Sequence, residues 1–397
     1  MNIKTMRTID EVAGKTICRF FRVLLAAQSW LGRIFPKKAE QSEHQVIMVQ
    51  KYFGMGSILH SIPLMRGVRK KYPLAKIIFV TFKPLAPSFR LTNIADEVIV
   101  LSSDSFISFV TDFVKAVIYL RKQKVSISLD LEFFSKFTMI MAVLSGAKMR
   151  IGFFLKHIRP RGVLTHPIFY NSYQHIQKMY CAFGTPLGIE QEEAFFSDML
   201  PSSKKLVEDP QYLTRLGIDE GSPYILINPN ASEASYARRW PADYFLRIID
   251  QLVKTYPNYQ FALIGSPAEE HYVNSLHSKL ADLGDKVLNL AGKTTLYELF
   301  ALMEEAYLLI TNDTGPMHIA SLYGTNLVVF FGPETPKTYG PINDNSLVFY
   351  DKDIYCSPCL NVYDAKNSVH PEDCNQPICL EQFKPEEVFK AISEKFF

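Results

Sequence analysis

From Gln45 onward the chain repeats one pattern: a short run of consecutive apolar residues, a polar or glycine-bearing loop, then apolar residues at helical spacing. Val46-Ile47-Met48-Val49 leads through Gly54-Met55-Gly56-Ser57 into Leu59, Ile62, Leu64, Met65 and Val68. Runs at Lys76 to Val80, Glu97 to Leu101 and Ser126 to Leu131 extend the series, with a helical pattern from Phe109 to Leu120. A second series starts at Tyr224 and passes through a helix Tyr244 to Lys254, then strands at Gln260 to Gly265, Leu288 to Leu290, Leu308 to Thr311 and Leu327 to Phe331. Continuous apolar runs belong to strands buried on both faces, and their alternation with helices makes a parallel sheet the economical arrangement. The pattern therefore predicts an α/β protein of two Rossmann-like, doubly wound lobes, with ligands outside the carboxyl ends of the strands.

The flanks and joints differ from this repeat. Residues 1–44 read as a helical extension in which Ile17, Phe20, Phe21, Leu24, Leu25, Trp30, Leu31 and Ile34 recur at near-helical spacing among basic residues, with Pro36 as a stop. Such a segment, over residues 15–38, either lies on an anionic membrane surface or packs on the body of the protein. The stretch Gly188 to Gly221, with Pro201 and Pro210, reads as the connection between lobes. The predicted divisions are 1–44, a first lobe 45–205, a second lobe 206–350, and a cysteine-bearing segment 351–397 that ends in a helix from Lys384.

Composition narrows the classes. A length of 397 residues suits two cores, and 48% hydrophobic against 21% charged residues is a globular balance. A net charge of +3 gives no footprint for nucleic acid. No charged-start, apolar, small-residue leader is apparent, and no run reaches a membrane-spanning length, since Arg19, Arg22 and Arg33 interrupt Ile17 to Phe35. These features predict a cytoplasmic chain, peripheral on the inner face of the inner membrane if residues 15–38 bind lipid.

The strongest chemical signal is the strand Leu308 to Thr311 running into Asn312-Asp313-Thr314-Gly315-Pro316-Met317-His318 and a helix. Glycine allows close backbone approach, and a helix start presents free N–H groups and a positive dipole end, which together suit a pyrophosphate. The next strand ends in another rigid loop, Gly332-Pro333-Glu334-Thr335-Pro336. Farther on, Cys356-Ser357-Pro358-Cys359 with Cys374 and Cys379 could complete a thiolate shell around a structural metal or remain free thiols. Cys18 and Cys181 lie in apolar surroundings and read as buried thiols.

The ordered set Gly292-Lys293-Thr294-Thr295-Leu296, Asn312 to His318 and Phe331 to Pro336, with Asn228-Pro229-Asn230, Arg238-Arg239-Trp240-Pro241 and the glycine loop Met55 to Pro63, resembles glycosyltransferase family 9, the ADP-heptose lipopolysaccharide heptosyltransferases. The resemblance spans about residues 45 to 345. It implies a GT-B fold with an interlobe cleft, the acceptor on the first lobe, the nucleotide sugar on the second, inversion at the anomeric carbon and no cofactor required for catalysis. The donor is then an ADP-heptose or related nucleotide sugar and the acceptor a bacterial envelope glycan or glycolipid such as lipopolysaccharide core.

Carried over by position, Thr314, Gly315 and Pro316 face the diphosphate, Asp313 and His318 flank the sugar, and Arg238 stands where the family has a phosphate-binding lysine. Asn230 and Lys293 belong to the same donor motifs, and Glu269 or Glu270 would take the ribose hydroxyls or serve as helix N-terminal charges. Relatives also imply a structural zinc or iron at Cys356, Cys359, Cys374 and Cys379, and a terminal helix that crosses back onto the first lobe. One position departs: Ser57 stands where the family has an aspartate general base, and serine cannot serve alone near neutral pH. Asp130 and Glu132 share a face at a strand end, so Glu132 is a replacement base, or both acids cap the following helix and bind loop amides. Loss of the base leaves open a non-catalytic nucleotide-sugar or glycan binder, and the GT-B architecture also serves nucleotide-sugar epimerases, a second alternative.

Overall fold

The computed structural model describes residues 8–34, 45–133, 135–155, 159, 162–190, 202–231, 236–359, 374 and 377–397, with the side chains of 28–34 left aside. Pro36 and the end of the N-terminal extension, Pro201 in the expected lobe connection, and residues 360–373 of the cysteine-bearing segment lie outside them. The chain forms two compact units, Met1–Ala194 and Phe195–Phe397.

The first unit is built on β1 (Val46–Gln50), β2 (Lys76–Phe82), β3 (Glu97–Leu101), β4 (Ile127–Asp130), β5 (Met149–Phe154) and β6 (His166–Phe169). They form one parallel sheet in the order β3-β2-β1-β4-β5-β6. The winding reverses between β1 and β4, in register Ile47 to Ile127, and this reversal opens the ligand crevice of doubly wound sheets. The apolar runs behave as read: Ile47, Met48, Val49 and Ile77 to Val80 are buried completely.

Two strands of this unit carry no clear apolar run. Arg150 and Gly152 interrupt β5; Arg150 donates from Nε to Val163 O at 2.8 Å and from Nη1 to Ala147 O at 2.6 Å. A Cβ on Gly152 would sit 3.0 Å from Leu164 Cδ2 and 3.3 Å from Asp130 Cβ, so a larger residue would crowd both neighbours. Pro167 fits β6 because this is an edge strand, whose outer side needs no ladder hydrogen bond.

The second unit repeats the plan with β7 (Tyr224–Asn228), β8 (Gln260–Leu263), β9 (Val287–Asn289), β10 (Leu308–Asn312), β11 (Asn326–Phe330) and β12 (Ser346–Phe349). Their order is β12-β11-β10-β7-β8-β9, all parallel, and the reversal falls between β7 and β10. The terminal helix Pro385–Phe396 spends its apolar face within this unit: Val388 and Ile392 join the core of Ile248, Leu252 and Phe330, and Phe397 stacks on Tyr256 at 3.7 Å.

At the other end, a π-helical turn Asp10–Gly14 continues into the helix Lys15–Ile34. Gly14 and Cys18 are buried, and Cys18 packs with Met139, Ile140 and Val163 of the first unit. Asp10 accepts hydrogen bonds from Lys136 N at 2.9 Å and Phe137 N at 2.7 Å, closing the open amides of the helix Phe137–Leu144. Packing on the body is thus realised along one stripe of this helix.

Candidate functional site

At the switch point of the second sheet, β7 ends in Asn228 and β10 in Asn312, and an amide ladder ties the loops beyond them. Asn230 Nδ2 donates to Asn228 Oδ1 at 3.1 Å and to Ile264 O at 2.9 Å, and Asn312 Nδ2 donates to Asn230 O at 2.9 Å. Asn312 Oδ1 accepts from Trp240 N at 2.8 Å, while the Trp240 ring lies parallel on Phe330 at 4.2 Å. These amide hydrogen bonds tie three strand-end loops into one arrangement, with Asn230 Oδ1 buried and unpartnered among them. The indole anchors the turn Tyr236–Arg238, which carries Arg238 to the loop after β10.

There Arg238 Nη1 donates to Asp313 O at 3.0 Å and to Asp313 Oδ2 at 3.3 Å. Burial raises the Asp313 carboxyl, and Arg238 opposes that rise. Glu334 completes the group. Burial pushes its carboxyl up to about 8, opposed by the Thr335 amide 3.0 Å away, assisted by the charge of Asp313 and opposed by Arg238. At neutral pH Glu334 is mostly protonated, so the site keeps a cation without a second full negative charge. Thr314, the residue before the helix Gly315–Tyr323, spends its hydroxyl on Asn228 Nδ2 (2.8 Å), Thr311 Oγ1 (3.1 Å) and Asn312 O (3.2 Å) and makes no side-chain cap. Gly315 and Pro316 form the first turn, and His318 follows, buried. A guanidinium beside an uncapped helix start suits a diphosphate.

The raised Glu334 carboxyl has a stability consequence with a definite sign. The native state holds this proton more tightly than the unfolded chain, so stabilisation is full below the ordinary value of 4.5 and is lost as pH rises to about 8. Glu334→Gln is expected to flatten that slope and to exceed the parent at about pH 8 by on the order of 1–3 kcal/mol. Urea melts of both proteins at about pH 5 and about pH 8 measure it, and equal slopes contradict it.

The other donor-side residues separate by geometry. Glu269 Oε2 accepts from Ser266 N at 2.8 Å and Ser266 Oγ at 2.7 Å, a capping box that occupies it as a helix N-terminal charge. Glu270 is exposed, its Oε2 3.2 Å from where a Cβ on Gly292 would stand; Gly292 has φ +70°, a conformation suited to glycine. Lys293, next in that turn, is exposed. An Asp-x-Asp spacing occurs at Asp351-Lys352-Asp353, where Asp351 Oδ1 accepts from Asp353 N at 2.8 Å in a local turn.

The first unit concentrates charge at its own switch point. Just past β1, Lys51 Nζ pairs with Glu132 Oε2 at 3.0 Å, both side chains buried. Glu132 Oε1 accepts from Tyr52 N at 2.6 Å and Phe53 N at 3.0 Å. Asp130 accepts from Thr138 Oγ1 at 2.7 Å and Glu132 N at 3.2 Å, and pairs with the buried guanidinium of Arg159, which also donates to Glu132 O. Both oxygens of Glu132 are therefore engaged, and the two carboxylates bind loop amides, while the open amides of the following helix go to Asp10 and not to either of these acids. Ser57 is half-buried in the short helix Met55–His60, which begins after Gly54 at φ +79°. Lys51 and Arg159 have no motif of their own; only the acids they neutralise gave a signal.

None of the six cysteines is joined in a disulfide; Cys18 is buried and Cys181 half-buried. Ser357 Oγ donates to Gly332 O at 2.6 Å, and Cys379 Sγ lies 2.7 Å from where a Cβ on Gly332 would stand, so both arms of the cysteine segment meet the loop after β11. Burial first, and then the neighbouring Cys359, Cys356 and Cys374, push the Cys379 thiol up to about 12. Among the described residues no group of three or more His, Cys, Asp or Glu is arranged to hold a metal ion.

Comparison with known proteins shows the family and the fold. The model of glycosyltransferase family 9 (heptosyltransferase) matches residues 120–370, well over half the chain. Lipooligosaccharide heptosyltransferase 2 of Campylobacter jejuni is 28% identical over 205 residues, 51% of this chain and 59% of that protein's own length. Among solved structures, a glycosyl transferase family 9 protein from Veillonella parvula superposes with a TM-score of 0.70 at 21% identity, covering 89% of this chain and 97% of that one. The E. coli ADP-heptose lps heptosyltransferase II superposes with a TM-score of 0.67 at 19% identity, covering 89% and 98%. At such identities the structures establish the fold, two Rossmann-like units of the GT-B kind.

Proposed function

Because the chain belongs to glycosyltransferase family 9, we propose that it transfers heptose, or a related sugar, with inversion from an ADP-sugar or other nucleotide sugar to a bacterial envelope glycan such as lipopolysaccharide core. The observation that carries this reading is the arginine-led group Arg238, Asp313 and Glu334 beside the uncapped helix start at Thr314. In it Arg238 and the amides after Thr314 take the diphosphate and stabilise the charge that leaves with the nucleotide. Asp313 and His318 face the sugar, and Glu270 takes the ribose hydroxyls. Asn230 holds the loops, Lys293 lies at the rim near Glu270, and no cofactor is needed for the transfer.

The acceptor belongs to the first unit in this reading, where Glu132 and Lys51 hold the Tyr52–Phe53 backbone and Ser57 lies on the loop beyond. A cytoplasmic chain that meets the inner membrane through residues 15–38 agrees with a glycolipid acceptor. The test is release of ADP from ADP-heptose with and without a heptose-deficient lipopolysaccharide acceptor. Release that requires the acceptor supports transfer; change of the sugar without acceptor indicates an epimerase, and binding with neither indicates a non-catalytic binder.

A structural zinc or iron at Cys356, Cys359, Cys374 and Cys379 completes the proposal. Thiolates are fitting donors for either metal, and the two arms of the segment converge on Gly332. Purified protein is expected to carry about one zinc or iron per chain. A metal-free preparation in which all these thiols alkylate at once removes this part of the reading.

A further inference from the structure

The helix Lys15–Ile34 uses one stripe against the first unit and leaves several large apolar side chains exposed on the rest of its described surface. Phe20 is 61% exposed, Val23 66% and Val12, just before the helix, 68%, with Ile17 and Leu24 also exposed. A second helix of the same unit, Phe106–Lys122, carries a similar stripe: Ile107, 78% exposed, then Val110, Val114 and Ile118, at steps of three and four residues that place them on one face.

The two helices share one buried contact. Phe21 of the first helix and Phe113 of the second pack against the same buried cluster of Cys18, Met139, Ile140 and Val163. Ile17 and Leu24 lie one turn to either side of Phe21, and Val110 lies one turn from Phe113, so each exposed stripe starts beside the shared contact. Basic residues border the patch: Lys15, Arg19 and Arg22 follow the flank of the first helix, and Lys115 and Lys122 that of the second, all exposed. Nearby acids are Asp10, spent on the amides of Lys136 and Phe137; Asp112, spent on Ser102 N at 3.0 Å; and Glu11 and Asp104 at the helix starts.

We propose that these two helices together form a docking face for an anionic lipid bilayer. Apolar side chains enter the headgroup boundary while the flanking lysines and arginines meet lipid phosphates. A second copy of this chain fits less well, because pairing the same face across a two-fold would bring like basic borders together. No described helix is long and apolar enough to cross a membrane, so the contact lies along the surface. This deepens the membrane placement of the proposed function by adding a second helix that residues 15–38 do not contain.

Co-sedimentation of the full chain with vesicles tests it, using phosphatidylglycerol–phosphatidylethanolamine against phosphatidylcholine. The parent is expected to favour the anionic vesicles about tenfold or more, less so in high salt. Phe20→Glu with Val23→Glu, and separately Ile107→Glu with Val114→Glu, are each expected to lower that partition about tenfold, with unchanged melting because all four side chains are exposed. An Ile107→Glu, Val114→Glu protein that sediments like the parent overturns the two-helix face. So does a parent that ignores vesicles but is a dimer that these substitutions split. Nucleotide-sugar binding, measured on the same preparations without vesicles, is expected to be unchanged, so failure of the lipid face and failure of the donor site register separately.

Discussion

Arg238→Ala is expected to lower kcat/KM for the nucleotide sugar about 100-fold or more while leaving the protein folded. The fold should survive because the turn is anchored by Trp240, through its amide on Asn312 and its ring on Phe330, and not by the guanidinium. Function should not survive, because Arg238 is the cation that the loops bring to Asp313 and to the helix start after Thr314. Its removal also leaves Asp313, buried and raised by that burial, without the opposing charge, so the carboxyl is driven further toward its neutral form. Arg238→Lys restores charge but not the bidentate fork and is expected to recover part of the loss. Steady-state kinetics checked against the melting temperature measures it. Unchanged kcat/KM in the alanine variant would remove Arg238 from the donor site.

The second large effect lies in the first unit. Glu132→Gln keeps an acceptor for the Tyr52 and Phe53 amides but leaves Lys51 buried without a counter-charge, which is expected to cost about 3–5 kcal/mol. Lost activity in that protein would confuse two causes, a missing base and a broken loop. Adding Lys51→Met removes the stranded cation, and most of the stability is expected to return. If Glu132 holds the loop, as its two engaged oxygens suggest, the paired variant turns over within about tenfold of the parent. If Glu132 were the base, the paired variant would be folded and inactive, down by about 100-fold or more. Denaturant melts and turnover on one preparation separate the outcomes.

Both switch points were legible because they follow from local pattern. Apolar runs marked β1, β4, β7 and β10, and the doubly wound order places their carboxyl ends at the crevice. The loop from Asp313 to His318 was visible as a strand, a polar loop and a helix start. Less was visible where meaning depends on distant partners. Lys51 reads as an ordinary lysine after a strand until Glu132 folds against it, and Arg159 lies outside any motif yet neutralises Asp130. Glu334 sat in a recognised loop, but its raised carboxyl comes from burial near Asp313, which no spacing reveals. Strands β5 and β6 escaped for the same reason: Arg150, Gly152 and Pro167 break the apolar run and make sense only beside their tertiary neighbours.

The most direct measurement of the central claim is a thermal-stability series with ADP-heptose, other ADP-sugars and UDP-sugars on the parent and on Asp313→Ala. A ligand that binds the native state raises its melting temperature by mass action. An ADP-sugar shift in the parent that Asp313→Ala abolishes is the predicted result. No response to any nucleotide sugar, or an equal response in both proteins, would contradict the donor site at Asp313 to His318.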